Sequence, residues 1–216
     1  MKFIIKRITP PFLYDFGKNI LSRKKNASEQ DSAFYDKMFI EHHHWKKHYT
    51  SSEYYPLWTI IVDRILKSDS KSVLDIGCGA GQFARFLKDK GIRNYIGIDF
   101  SPERVKYAKN ICPEFEFMLA DVYKSDVFNI RQFDTIVCLE FLEHVNHDLE
   151  LFEKIRTGIN FFGTVPNFPF VAHVRYFENP EEVQSRYNKV IKNLSIDTHL
   201  KNEKGKKFYI MEGITA

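Results

Sequence analysis

Cysteine is scarce in this chain. Cys78, Cys112 and Cys138 are all it has in 216 residues, and no two stand in CxxC spacing. A disulfide framework and a zinc knuckle are thereby excluded. Long apolar runs are missing as well: nothing approaches the ~18 residues that span a bilayer. The first seven residues, Met1-Lys2-Phe3-Ile4-Ile5-Lys6-Arg7, meet charge too early for a secretory leader. With 10 glycines and 8 prolines, the composition is neither collagen-like nor low in complexity. These absences lead to the expectation of a cytoplasmic globular protein. What is present agrees with it: 44% hydrophobic, 15% aromatic and 28% charged residues suffice for a packed core. The length suits one domain and an extension.

Acidic residues are rare at both ends. Residues 1–25 hold seven Lys/Arg against Asp15 alone, and residues 186–216 hold seven basic against three acidic residues. Between them, residues 26–185 carry 18 basic and 24 acidic residues, so the overall +4 conceals an acidic centre. A general nucleic-acid-binding core needs the opposite balance. The basic, apolar residues 1–25 suit contact with an anionic membrane surface, or alternatively a partner-binding arm.

Two helical patterns, about 31–48 and 53–68, follow this segment. The second is expected to start from Ser51 or Ser52 and to turn Tyr55, Trp58, Ile61, Val62, Ile65 and Leu66 inward. From Lys71 the signals alternate. Strands are expected at 72–77, 95–99, 115–120, 133–139 and 161–165, and helices at 82–90, 102–111, 148–156 and 179–192. Ser101 is the expected cap of the 102–111 helix, with Pro102 in its first turn. Two strand-like runs, 194–200 and 207–213, flank a polar turn and read as an antiparallel hairpin. The pattern predicts an α/β fold: a Rossmann-like, doubly wound, mostly parallel seven-stranded sheet with a C-terminal antiparallel hairpin and an N-terminal helical extension. Residues 1–70 are expected to form the tail and a helical cover, and 71–216 the main domain. Ligands of such sheets bind beyond the C-terminal strand ends.

Functional signals fall there. Val73-Leu74-Asp75-Ile76-Gly77-Cys78-Gly79-Ala80-Gly81 is a strand running into a GxGxG turn before a helix. Glycines let the chain turn sharply and let a ligand lie against the backbone. The acid ahead of the turn suits a cationic ligand better than a pyrophosphate. Asp99 ends the second strand, where an acid accepts hydrogen bonds from ribose hydroxyls. Asp121 ends the third, placed to accept an adenine amino group, with Val122 beside the ring. A ligand-free tight turn and a dinucleotide site are the alternatives.

On these residues, and on the strand Phe133 to Glu140, the sequence resembles the class I S-adenosylmethionine-dependent methyltransferases over about residues 70–216. The resemblance implies that Gly77, Gly79 and Gly81 bound the methionine part of the cofactor, that Asp99 holds the ribose and Asp121 the adenine, and that Asp75 orients the amino group. Glu140 is expected to line the cofactor.

The acceptor is to be sought after strands four and five. His144, with Glu143 beside it, is the candidate catalytic base for an alcohol acceptor; alternatively Leu142-Glu143-His144 only starts the next helix. The spacing Glu140-x-x-Glu143-His144, with His173 further on, resembles the metal-binding pattern of small-RNA 2′-O-methyltransferases, and its first three residues resemble ubiquinone-biosynthesis O-methyltransferases. Glu140, Glu143, His144 and His173 would hold a divalent ion such as Mg²⁺ or Mn²⁺. The aromatic loop 164–177 supplies Asn167, His173 and Arg175 to an expected acceptor pocket, Arg175 as an anion holder. Pro166-Asn167 is not the signature of amino-methylating DNA enzymes. His42, His43 and His44 are adjacent on a predicted helix and point apart, so they cannot share an ion. The expectation is O-methylation of a small-molecule, saccharide or lipid-linked acceptor. A metal-assisted RNA 2′-O-methyltransferase, a non-catalytic cofactor-binding partner subunit and a nicotinamide oxidoreductase are the alternatives.

Overall fold

A computed structural model of the chain describes residues 28–216. The basic segment 1–25, with its expected membrane contact, lies outside these residues.

Helix α1 (Ser32–Glu41) comes first, capped by the Asp31 carboxylate, which accepts from Phe34 N at 2.9 Å. It is shorter than the expected 31–48 helix. His42 is extended, with φ −117° and ψ 106°, and two 3-10 turns, His43–Lys46 and Tyr49–Ser51, carry the chain onward. Aromatic packing decides this: His44 lies on Trp45, and Trp45 stacks on Tyr54, so the backbone must leave the helical path. Helix α2 (Tyr55–Lys67) starts from Tyr54, with Pro56 in its first turn. Ser52 does not cap it; its hydroxyl accepts from Tyr54 N in the preceding turn. Leu57, Trp58, Ile61, Val62 and Ile65 are buried, while Leu66, expected inside, is 44% exposed.

Strand β1 (Ser72–Ile76) then leads to α3 (Gln82–Asp89), β2 (Asn94–Asp99), α4 (Pro102–Ile111), β3 (Glu116–Leu119), a short α5 (Val127–Ile130) absent from the sequence reading, and β4 (Thr135–Leu139). Helix α6 (Asp148–Glu153), β5 (Asn160–Pro166), α7 (Pro180–Tyr187), β6 (Ile191–Leu200) and β7 (Lys207–Thr215) complete it. Ser101 Oγ caps α4 as expected. Helix α7 ends well short of 192. Ile191 is buried and pairs with Thr215, so strand pairing takes residues that a helical pattern also suits. Asn193, with φ +53°, lies where the β6–β7 register shifts.

The seven strands lie in the order β3-β2-β1-β4-β5-β7-β6, parallel except for β7, which runs antiparallel to β5 and β6. Alternation along each strand feeds two cores. Val73, Tyr95, Val137, Phe162 and Ile210 face the α2–α3–α4 side, while Leu74, Ile76, Ile98, Ile136 and Phe161 face α5, α6 and α7. Helix α2 shares the first core with the sheet, so it is a layer of the fold itself. The order reverses between β1 and β4, and the chain opens a crevice beyond their C-terminal ends. Among the described residues no helix is long and apolar enough to cross a membrane.

Candidate active site

The glycine turn follows β1 into that crevice. Gly77 and Cys78 donate their N–H groups to Ile98 O at 2.9 and 3.2 Å, which anchors the turn to β2. Gly77 has φ +78°, and a Cβ there would stand 2.7 Å from Phe141 Cδ2. Gly79 has φ +55°, and a Cβ there would meet nothing within 4 Å among the described residues. One glycine is thus required by close packing and the other borders open space. Gly81, expected to act with them, is packed against Ala108 at the start of α3.

The Asp99 carboxylate ties this turn to the next. One oxygen accepts from Gly79 N and the other from Ser101 N, both at 2.9 Å. Burial raises its pKa, and the Arg104 charge and these two amides oppose the rise. Each oxygen keeps lone-pair capacity for a further donor, which suits a ribose hydroxyl. Asp75 is sealed below the turn. It accepts from Tyr95 OH at 2.6 Å, and burial pushes it up to about 7. Asp121 is half-exposed; it accepts from Tyr123 N at 2.9 Å and lies 3.0 Å from Lys124 Nζ. Val122 is buried in the core beneath the sheet. The exposed apolar groups at these strand ends are Phe100 and Leu119. The open space at Gly79 and the accepting carboxylate of Asp99 fit a cofactor with an amino-acid moiety and a ribose.

Beyond β4 the chain folds back on itself. Glu140 has φ +53°, a costly conformation for a non-glycine residue. Thr164 holds it there, accepting from Glu140 N at 2.9 Å and donating to its carboxylate at 3.1 Å. Glu143 is fully buried, and among the described residues neither carboxylate oxygen has a hydrogen-bond partner. Burial and the neighbouring Glu140 charge push its pKa well up.

Glu143, His144 and His173 converge, with one ligand atom from each lying within 4.8 Å of the others. Glu140 stands outside this group. The Nδ1 atoms of His144 and His173 each lie 3.0 Å from a carbonyl oxygen, of Ala172 and Phe168. A carbonyl only accepts, so both Nδ1 atoms carry the hydrogen and both Nε2 atoms keep a lone pair. Burial holds His144 down to about 3 and His173 down to about 4, so both rings are neutral at pH 7.

Two expected acceptor residues serve the loop instead. The Arg175 guanidinium donates to the carbonyls of Leu142, Val145 and Asn146 and lies 3.1 Å from Asp148. It clamps the 142–148 segment, so its charge is engaged with the chain itself. Asn167 donates to Gly205 O and accepts from Lys207 N, which braces the β6–β7 turn.

The cover is built from α1 and the 3-10 turns. The Asp36 carboxylate accepts from Ser101 Oγ and from Glu103 N. Gln82 donates to Lys47 O at 2.6 Å and Tyr107 to Lys46 O at 2.8 Å. Tyr35 thereby stands edge-on to His144 with 5.9 Å between ring centroids. Arg104, which the sequence reading passed over, faces Tyr35 and Trp45. Its position one turn after Asp99 was the available signal. His42, His43 and His44 are exposed on the outside of the cover.

Residues 73–159 match the model of a family described as a methyltransferase domain. The chain is 28% identical over 141 residues to the (S)-coclaurine N-methyltransferase of Papaver somniferum, an alignment covering 61% of this chain and 39% of that one. It is 30% identical over 108 residues to a ubiquinone biosynthesis O-methyltransferase of Actinobacillus pleuropneumoniae serotype 7, covering 44% of this chain and 46% of that one. The chain therefore spans less than half the length of these curated relatives. Among solved structures it is similar to the magnesium protoporphyrin IX methyltransferase of Synechocystis PCC 6803 with bound S-adenosylmethionine. The TM-score is 0.62 and the identity 17%, over 89% of this chain and all of that one. The match over residues 73–159 and this sheet order make the chain similar, in that segment and in fold, to the class I S-adenosylmethionine-dependent methyltransferases.

Proposed function

We propose that the chain transfers a methyl group from S-adenosylmethionine to a hydroxyl of a small-molecule, saccharide or lipid-linked acceptor, and that Glu143, His144 and His173 receive that hydroxyl. One observation carries the reading: an unpartnered buried carboxylate and two neutral imidazoles converge next to the glycine turn. The cofactor, when bound, supplies a methyl on a positively charged sulfur, and in-line displacement then depends on proximity and alignment. Gly79 leaves the space for it and Asp99 accepts from its ribose. Glu140, held by Thr164, lines the mouth, and Asp121 closes the adenine side. Asp75 acts through the fold, bracing the turn against Tyr95.

Held near 3 by burial, His144 is a weak base on its own. The donor set suits a divalent cation better. One carboxylate oxygen and two imidazole lone pairs make a hard-to-borderline site, and a main-chain carbonyl fixes the second nitrogen of each ring, as metal-bound histidines require. Glu143, His144 and His173 would hold Mg²⁺ or Mn²⁺, which would supply polarisation of the hydroxyl. An RNA 2′-hydroxyl is the second reading, favoured by Lys201, Lys204, Lys206 and Lys207 around the β6–β7 turn.

The test is a panel of hydroxyl acceptors with labelled S-adenosylmethionine, run with Mn²⁺ and with chelator. Transfer should depend on the ion and vanish in Glu143→Ala. Full activity in that variant, or in chelator, would remove the cation from the account.

A further inference from the structure

Arg104 has an unusual setting for a cation. Its side chain leaves the first turn of α4 toward the cover, where Cζ lies 4.9 Å above the Tyr35 ring and 5.6 Å above the Trp45 ring. Aromatic faces attract a guanidinium but satisfy none of its five N–H donors. Among the described residues, no hydrogen bond or ion pair reaches the guanidinium. The acids nearest the crevice are otherwise engaged: Asp99 accepts two main-chain amides, and Glu140 is held by Thr164. A second donor in the same cluster is also unmet. Trp45 Nε1 is buried and has no hydrogen-bond partner among the described residues. Trp45 Nε1 is thus a buried donor lacking an acceptor, and the half-buried Arg104 guanidinium beside it has donors that the described residues leave free; together they mark a place where an acceptor-rich group belongs.

The surroundings locate that place. Tyr35 is the ring against which Arg104 stacks, and besides Phe34 and Phe100 it contacts His144, so Arg104 stands one aromatic ring away from the Glu143–His144–His173 cluster. We infer that Arg104, with the Trp45 indole N–H, is an oxyanion subsite that selects acceptors carrying a carboxylate or phosphate on the cover side of the reacting hydroxyl. This rests on the methyl-transfer reading and adds a substrate class to it. The planar guanidinium fork matches either oxyanion with two parallel hydrogen bonds, and stacking between rings removes its freedom before the ligand arrives. The role expected at Arg175 thus falls to a residue whose donors are still available.

The experiment uses the full chain saturated with S-adenosylhomocysteine and four probes: phenyl phosphate, benzoate, phenol and benzamide. Affinities are measured by calorimetry for the unsubstituted chain, Arg104→Gln, Arg104→Lys and Trp45→Phe, each with a melting control. At least one anionic probe should bind tenfold or more tightly than its neutral counterpart. Phenyl phosphate and benzoate distinguish the two oxyanions. Arg104→Gln should erase the preference and Trp45→Phe weaken it. Arg104→Lys should retain part of it, and the S-adenosylhomocysteine affinity of Arg104→Gln should change less than twofold. An unsubstituted chain that binds S-adenosylhomocysteine but shows no anion preference would overturn the inference. So would a preference that survives Arg104→Gln, or a tenfold loss of S-adenosylhomocysteine affinity in that variant, which would make Arg104 a cofactor residue. Failure of the unsubstituted chain to bind S-adenosylhomocysteine would overturn the methyl-transfer reading instead.

Discussion

The imidazoles of His144 and His173 stand edge to face, 4.8 Å between ring centroids, and each gives its Nδ1 hydrogen to a main-chain carbonyl. The tautomers are therefore set by the fold, and both Nε2 lone pairs are left beside a buried carboxylate without partners. This arrangement costs stability until something positive enters it.

The cost predicts the behaviour of Glu143→Gln. The neutral amide replaces a carboxyl whose ionisation burial and the Glu140 charge oppose, so this variant should melt at or above the temperature of the unsubstituted chain when metal is absent. Added Mn²⁺ should raise the melting temperature of the unsubstituted chain only. At one hundred times Kd the gain is about 2.7 kcal/mol, or roughly 5–10 °C for a chain of this size. Equal Mn²⁺ shifts in both proteins would contradict the donor set.

Asp75 predicts a pH dependence of stability. Its ordinary value is 3.8, and burial moves it up to about 7 in the folded chain. Between these values the unfolded chain releases the proton and the folded chain keeps it, so stability falls as pH rises from about 4 to 7 and levels off above. At ~1.4 kcal/mol per pKa unit the effect is on the order of a few kcal/mol. Denaturant titrations of the unsubstituted chain and Asp75→Asn across this range check it. The substituted chain should lose the part of the slope that Asp75 contributes, Asp99, Glu140 and Glu143 being raised in the same sense, and an identical slope would refute the assignment.

Gly77 and Gly79 should separate stability from binding. Gly77→Ala places a methyl 2.7 Å from Phe141 at φ +78° and should cost roughly 2–4 kcal/mol. Gly79→Ala meets only open space and should cost about 1–2 kcal/mol of backbone strain. Its larger effect should be on S-adenosylhomocysteine affinity, a loss of tenfold or more. Denaturation and calorimetry on the same pair of variants read both.

The cover is held by few bonds. Among the described residues, the hydrogen bonds that join α1 to the start of α4 come from Asp36, through Ser101 Oγ and Glu103 N. Asp36→Ala should cost about 1–2 kcal/mol, and amide exchange should quicken over Ser32–Glu41 while Pro102–Ile111 stays protected. Unchanged exchange in α1 would show that the aromatic contacts hold the cover without it.

Local chemistry made much of this legible in the sequence. Ser101 and Pro102 define the start of α4, and the GxGxG turn, Asp99 and the order of strands place the cofactor end of the sheet. The ExxEH spacing and His173 named three residues that do converge. What stayed hidden depends on contacts distant in the chain. Nothing local to Arg175 shows that three carbonyls of the 142–146 segment occupy it. Nothing local to Val122 shows that its side chain faces the core. The break at His42 follows from Trp45 reaching Tyr54, and the end of α7 from Ile191 pairing with Thr215. Arg104 was passed over because its setting is made by a cover helix some 65 residues earlier in the sequence.

The most direct test of the account is calorimetric titration of the full chain with S-adenosylhomocysteine and with NAD, repeated in Asp99→Ala. The account predicts one S-adenosylhomocysteine per chain, at least tenfold weaker in Asp99→Ala, and no binding of NAD. Binding of NAD alone, or S-adenosylhomocysteine affinity indifferent to Asp99, would contradict it.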